Sequence, residues 1–279
     1  MNRITAIFAM TLLLIACKGG NEGGQGSGET VTPSVPEPRP LPYTVLNAYP
    51  HDTAAFTQGL EIHKGQLYES TGLVGRSSLR RTDLKTGAVT LEKALDSPYF
   101  AEGITIRNDT LYQLTWQNHE VILYHAKDLK PIRKIPWSGE GWGITHDADN
   151  LYISDGSDKI YVVAPADLKL RRVISVYDNA GPVNNLNELE FINGQLYANR
   201  WQYDYIVRID PATGLVTGKM DMKDLLSKYS KTNTTYLTAP GSLGEQHGAV
   251  LNGIAWDSSG KRILVTGKLW PHIFEIRAD

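Results

Sequence analysis

Cysteine is nearly absent from this chain. The only one, Cys17, excludes any intrachain disulfide. No block of like charge occurs and the formal net charge is -2, which excludes the basic footprint of a nucleic-acid binder. The seven histidines (51, 63, 119, 125, 146, 247 and 272) have no metal-ligand spacing, so a zinc-hydrolase motif is missing and no catalytic metal is expected. There is no Gly-x-Ser-x-Gly nucleophile elbow and no phosphate-binding Gly loop. The acidic stretch Ser154-Asp155-Gly156-Ser157-Asp158 lacks the full calcium-loop pattern and reads as a turn.

The apolar run from Ile4 to Ala16 follows Arg3 and is shorter than the ~20 residues of a membrane-spanning helix. It reads as a cleaved export signal. Its end, Leu14-Ile15-Ala16-Cys17, resembles a bacterial lipobox. That resemblance implies a lipoprotein signal peptide over residues 1–16 and lipidation of Cys17. The mature protein is then expected on a lipid tether at a bacterial membrane, on the periplasmic or cell-surface side. Residues 17–41 are rich in Gly, Ser, Glu and Pro, and are expected to form a flexible linker.

What is present is repetition. Of 279 residues, 41% are hydrophobic, and the Tyr and Phe residues sit in short runs ending in Gly, Asn or Asp, as in an all-β protein. From Pro42 onward one phrase returns five times: Gln58-Gly59-Leu60, Glu102-Gly103-Ile104, Trp142-Gly143-Ile144, Asn187-Glu188-Leu189 and Asn252-Gly253-Ile254. The steps are 44 (59 to 103), 40 (103 to 143), 45 (143 to 188) and 65 (188 to 253). Each phrase opens a strand, followed by a tight turn such as Lys64-Gly65, Asn108-Asp109 or Asn193-Gly194. A second strand then begins Leu67-Tyr68, Leu111-Tyr112, Leu151-Tyr152, Leu196-Tyr197 or Ile263-Leu264. A third strand, a polar turn and a fourth strand complete the unit. Four antiparallel strands per ~40–45 residues is the period of a propeller blade. Residues 42–279 are therefore expected to form a five-bladed β-propeller. The last blade lacks an outer strand, and Thr44–Ala48 is expected to supply it and close the ring. An open β-sandwich assembly is the competing architecture. The surplus before the fifth blade, residues 221–248, is expected to hold a short helix near Met222–Tyr229 and a surface loop, either a lid or a solvated insertion.

Innermost strands line the axis of a propeller, so corresponding positions converge on one opening. The residue before the Gly-type position varies while its neighbours do not: Gln58, Glu102, Trp142, Asn187 and Asn252. The ends of the second strands vary too, leading to Gly72, Trp116-Gln117, Gly156, Trp201-Gln202 and Lys268. Both sets face one end of the ring. Together with Phe56 and Phe100 they form an aromatic-walled small-molecule pocket with one carboxylate, one ammonium and several amides. Each residue also has a purely structural use: Trp as inter-blade packing, Lys268 as a solvated charge, Glu102 as a cap on the channel or a ligand to a cation.

The motifs resemble those of the plant and bacterial glutamine cyclotransferases. They are Phe56-Thr57-Gln58-Gly59-Leu60, Tyr99-Phe100-Ala101-Glu102-Gly103, Leu114-Thr115-Trp116, Gly139-Glu140-Gly141-Trp142-Gly143, Leu186-Asn187-Glu188-Leu189-Glu190 and Ala198-Asn199-Arg200-Trp201. The resemblance runs from about Pro42 to the C-terminus. It implies a five-bladed propeller, conversion of the N-terminal Gln of peptides or proteins to pyroglutamate with release of ammonia, and no catalytic cofactor. It implies Glu102 as the proton-transfer residue, with Phe56, Gln58, Phe100, Trp116, Trp142, Asn187, Trp201, Gln202 and Lys268 lining the pocket. Asn252 joins them from repeat phase alone. A structural cation (Ca or Zn) in the channel stays open, and a monomer is expected. Two other functions are compatible with a propeller: a Ca-dependent lactonase-like hydrolase, with Glu102, Asn187 and Asn252 as oxygen ligands, and a non-catalytic peptide-binding propeller.

Overall fold

Five antiparallel sheets are arranged blade by blade along the chain in the computed structural model, which describes residues 34–230 and 233–278. Cys17, the expected signal segment and most of the expected linker lie outside the described residues. The innermost strands are Thr57–His63, Ala101–Arg107, Ile144–His146, Leu186–Ile192 and Leu251–Asp257. Each pairs with the next strand in sequence, as hairpins do. The turns explain the register. Lys64-Gly65, Asn108-Asp109 and Asn193-Gly194 all have positive φ at both positions, the twist that a two-residue hairpin loop needs. The polar turns between third and fourth strands also repeat. Asp83, Asp128, Asp167 and Asp210 each accept a backbone N–H two or three residues on.

The ring closes as the repeat requires. Tyr43–Pro50 pairs antiparallel with His272–Ala278 and forms the outer strand of the fifth blade. Arg39–Pro40, inside the segment expected as linker, adds a parallel edge strand to Val216–Asp221 of the fourth blade. Leu41 follows it, its N–H donating to the Lys219 carbonyl and its side chain lying over Gly218. This short pairing covers part of an exposed sheet edge.

Repeat phase also dictates the core. Leu60, Ile104, Ile144, Leu189 and Ile254 occupy equivalent places and all are buried, each burial stabilising by ~1.5–3 kcal/mol. One residue earlier, the innermost strands approach one another backbone to backbone. A Cβ on Gly59 would stand 2.5 Å from the Ile104 nitrogen, and one on Gly143 would stand 2.0 Å from the Asn187 carbonyl oxygen. Glycine is therefore required where blades touch.

The fourth blade breaks the rule with Glu188. Its carboxylate reaches across the axis: Oε1 accepts the Leu60 N–H at 3.2 Å and Oε2 accepts the Ile254 N–H at 2.9 Å. One side chain thus ties the fourth blade to the first and fifth. Below it, Glu190 accepts the Trp256 N–H at 2.8 Å, and Glu61 accepts the Thr105 hydroxyl at 3.0 Å. Burial pushes the carboxyls of Glu188 and Glu190 well above the usual range, and that of Glu61 to about 8.

The insertion before the fifth blade is helical in three short pieces, Leu225–Tyr229, Thr235–Leu237 and Leu243–His247. Leu225 and Leu237 anchor it to the apolar cluster that also contains Phe56 and Trp270.

Candidate active site

The site is made by irregularities at the head of the innermost strands. In four blades the register with the second strand slips at the variable position: between Thr57 and Gly59, Ala101 and Ile104, Leu186 and Leu189, and Leu251 and Ile254. A bulge re-aims a side chain that a regular strand would bury between blades. In the third blade the strand begins late, at Ile144, leaving Trp142 ahead of it.

Around the axis these positions enclose a cavity of about 420 Å³. Gln58, Glu102, Trp142 and Asn187 line it from the strand heads, and Trp116, Trp201 and Lys268 from the ends of second strands. Phe56 and Phe100 complete the aromatic wall. The alternation of Trp and Gly at the second-strand ends is steric. A Cβ on Gly72 would meet the Phe100 ring at 2.5 Å, and one on Gly156 would meet the Trp142 indole at 2.7 Å. Glycine in the first and third blades makes room for the aromatic residues beside it.

The aromatic groups pack edge to face. Phe56–Phe100 centroids are 6.3 Å apart, Phe100–Trp116 5.6 Å and Trp142–Trp201 5.7 Å, arrangements that lock ring orientation. Among the polar groups, Glu102 is 5% exposed, and its Oε1 accepts from Gln58 Nε2 at 3.2 Å. Burial raises its carboxyl well above the usual range; the Lys268 charge opposes this and the Glu140 charge adds to it. Lys268 is buried as well, its ammonium 4.6 Å from the Phe56 centroid. Burial lowers it to about 8, with Glu102 opposing. No ion pair joins Lys268 to Glu102 among the described residues. Asn187 Oδ1 is buried without a hydrogen-bond donor, an acceptor left for something entering the cavity.

Two expected residues stand outside this lining. Gln202 is exposed at a left-handed turn position (φ 68°) just past Trp201. Asn252 sits one step behind: its Nδ2 donates to the Thr57 carbonyl at 3.0 Å and to Gln58 Oε1 at 3.4 Å, so it orients Gln58. Two residues of the lining were not anticipated. Leu73 follows Gly72 in a left-handed conformation (φ 85°), and His247 comes from the last insertion helix to meet Phe56 edge-on at 5.9 Å. His247 has no counterpart in repeat phase, whereas Leu73 is the equivalent of Gln202 and Leu269, which share its left-handed backbone (φ 68° and 64°).

The family model described as glutamine cyclotransferase matches residues 19–278. The chain belongs to the glutamine cyclotransferase family. It is 38% identical to a glutaminyl-peptide cyclotransferase of Arabidopsis thaliana over 97% of this chain and 83% of that one. It also resembles the crystal structure of Myxococcus xanthus glutaminyl cyclase, with a TM-score of 0.76 and 36% identity over 87% of this chain and 99% of that one.

Proposed function

We propose that this enzyme cyclises the N-terminal glutamine of peptides or proteins to pyroglutamate and releases ammonia. The observation that carries the reading is Glu102: a buried carboxylate of raised proton affinity opening into a cavity that also holds Lys268 and the unpartnered Asn187 acceptor.

The substrate's neutral α-amine attacks its own γ-carboxamide carbon. A C–N bond forms, closing a five-membered ring, and the carbonyl oxygen takes up negative charge. The C–N bond to the carboxamide nitrogen then breaks and ammonia leaves. One proton must move from the attacking amine to the departing nitrogen. Glu102 takes it as general base and returns it as general acid, a role that contributes ~10²–10⁴-fold. Burial strengthens the carboxylate as a base. The Lys268 ammonium stabilises the oxyanion, and more strongly in a dry cavity than in water. Asn187 Oδ1 accepts from the amine or carboxamide N–H, and the Trp walls hold the glutaminyl stem folded back for ring closure. Gln58 keeps Glu102 oriented. Every proton in this scheme is carried by the substrate and the protein's own side chains.

For the structural cation left open by the sequence, no group of three or more His, Cys, Asp or Glu side chains suited to a metal occurs among the described residues. The lactonase-like reading needs Asn252 as a ligand beside Glu102 and Asn187, but Asn252 lies outside the cavity lining, its amide donating to Thr57 and Gln58. We further propose that the enzyme sits on a lipid tether at Cys17, a reading supported by Leu14-Ile15-Ala16-Cys17 and by the Gly- and Pro-rich stretch that follows, and that it acts as a monomer. Incubation of the purified domain with a Gln-initiated dipeptide tests the activity. Mass spectrometry should show a product lighter by one ammonia, with equimolar ammonia in solution. Peptide recovered unchanged would leave only a binding propeller.

A further inference from the structure

The motif Gly139-Glu140-Gly141-Trp142-Gly143 contains a carboxylate that the mechanism above does not use. Glu140 lies in the loop before the innermost strand of the third blade and is half-buried. Its Oε2 accepts from Trp116 Nε1 at 2.8 Å and from Trp142 Nε1 at 3.0 Å, and its Oε1 accepts from Gln117 Nε2 at 2.9 Å. Trp116 comes from the second blade and Trp142 from the third, so one carboxylate spans two blades. Glu140 itself is not part of the cavity lining; the two indoles stand between it and the cavity.

We propose that Glu140 is the positioning residue of the aromatic wall, fixing both indoles through their N–H groups so that ring surface is presented to the glutaminyl side chain. The inference rests on the proposed activity and adds to it a specificity element behind the wall. An indole has a single donor, and the acceptor that takes it orients the ring, for the half-buried Trp142 and for Trp116, which is 36% exposed. Here both donors converge on one oxygen, so a rotation of either indole breaks a bond to the same carboxylate. The bonds are charge-assisted, the stronger class. They also keep Glu140 ionised: burial opposes its charge, but the bonds from Gln117, Trp142 and Trp116 outweigh that and hold its carboxyl below the usual range. An ionised Glu140 in turn acts on Glu102. The charged groups acting on Glu102 are Lys268 from the fifth blade and Glu140 from the third, and they pull in opposite directions.

The test compares Glu140→Gln, Glu140→Asp and wild type on a Gln-initiated dipeptide, with ammonia release read across pH. Glu140→Gln has one acceptor oxygen and no charge. KM is expected to rise roughly tenfold, about what one charge-assisted hydrogen bond is worth. The acid limb of kcat/KM should move to lower pH, because Glu102 loses a charge that held its proton. Glu140→Asp keeps the charge but not the reach, so KM should rise while the acid limb stays. Repeating Glu140→Gln on a Trp142→Phe background, where one donor is already gone, should shrink its effect on KM. Tryptophan fluorescence of the substrate-free variants reports indole mobility independently of turnover. Wild-type KM together with an unmoved acid limb in Glu140→Gln would overturn the inference, as would an effect of equal size on the Trp142→Phe background. If wild type releases no ammonia, the proposed activity fails instead.

Discussion

Glu188 offers the sharpest test of how the ring is held, because its contribution follows from two hydrogen bonds. In Glu188→Ala, the N–H groups of Leu60 and Ile254 lose their acceptors at the axis, where both residues are buried. Each unsatisfied buried donor costs ~1–3 kcal/mol, so the pair costs ~2–6 kcal/mol. Removing the carboxyl also relieves its own burial cost, the cause of its raised pKa, and this offsets part of the loss. In a domain of this size 1 kcal/mol moves Tm by ~2–4 °C, giving a fall of roughly 5–20 °C. Glu188→Gln keeps one carbonyl oxygen, satisfies one of the two donors and should lie about midway. Urea denaturation at pH 7, followed by circular dichroism, gives both free energies. The order wild type, Gln, Ala is required. A Glu188→Ala variant within ~0.5 kcal/mol of wild type, the range of an ordinary surface change, would refute the claim that this side chain ties the fourth blade to the first and fifth.

Glu102→Gln should lower kcat by ~10²–10⁴-fold while leaving Tm equal or higher, since Gln still accepts from Gln58 and no longer buries a charge; near-normal ammonia release would remove Glu102 from the mechanism. Lys268, lowered to about 8, is an ammonium below that pH and loses its charge above it. The alkaline limb of kcat should therefore fall near pH 8, and Lys268→Met should abolish that limb along with most of the rate. Glu61 is raised from 4.5 to about 8, so the folded state binds its proton more tightly. Its stabilising contribution is full below pH 4.5 and is lost as pH rises through 8. Glu61→Gln should flatten the fall of Tm over that window; equal slopes in the two proteins would exclude Glu61 as the titrating group.

The fold was legible because the repeat is: five phased copies predict five blades, and a missing outer strand predicts ring closure by Thr44–Ala48, found within Tyr43–Pro50. Phase also located Gln58, Glu102, Trp142 and Asn187, since equivalent strand heads must converge on one opening. It over-reached at Asn252, which obeys the phase but uses its amide to hold Gln58 rather than to face the cavity. Gln202 was expected beside Trp201, but a left-handed backbone there places it outside the lining. His247 and Leu73 were invisible for the opposite reason. His247 lies in an insertion with no partner in the other blades. Leu73 lies in the loop after a second strand, where its equivalents Gln202 and Leu269 share the left-handed backbone but not the place in the lining, and alternation says nothing about such segments. Arg39–Pro40 was hidden by composition, because a Pro-rich stretch reads as linker even when it pairs at a sheet edge.

Glu102 and Glu188 show how chemistry separates from architecture in such a ring. Both are glutamates at or beside the repeat's variable position, both are buried, and burial raises the pKa of both. They differ in satisfaction. Each oxygen of Glu188 takes a backbone N–H from another blade, so its carboxylate is committed to holding strands together. Glu102 takes a single amide donor from Gln58 and otherwise opens on the cavity. An acceptor already saturated by backbone donors has no position from which to take a substrate's proton, whereas an under-satisfied one does. Asn187, adjacent to Glu188 in sequence, falls on the chemical side by the same criterion, its Oδ1 unpartnered at the cavity wall. The bulge at these two residues is what divides the labour: one side chain goes to the axis and the other to the substrate. Straightening that bulge by deleting one residue would shift the register by one, sending Glu188 towards the cavity and leaving the Leu60 and Ile254 donors bare, so ring stability and turnover should be lost together.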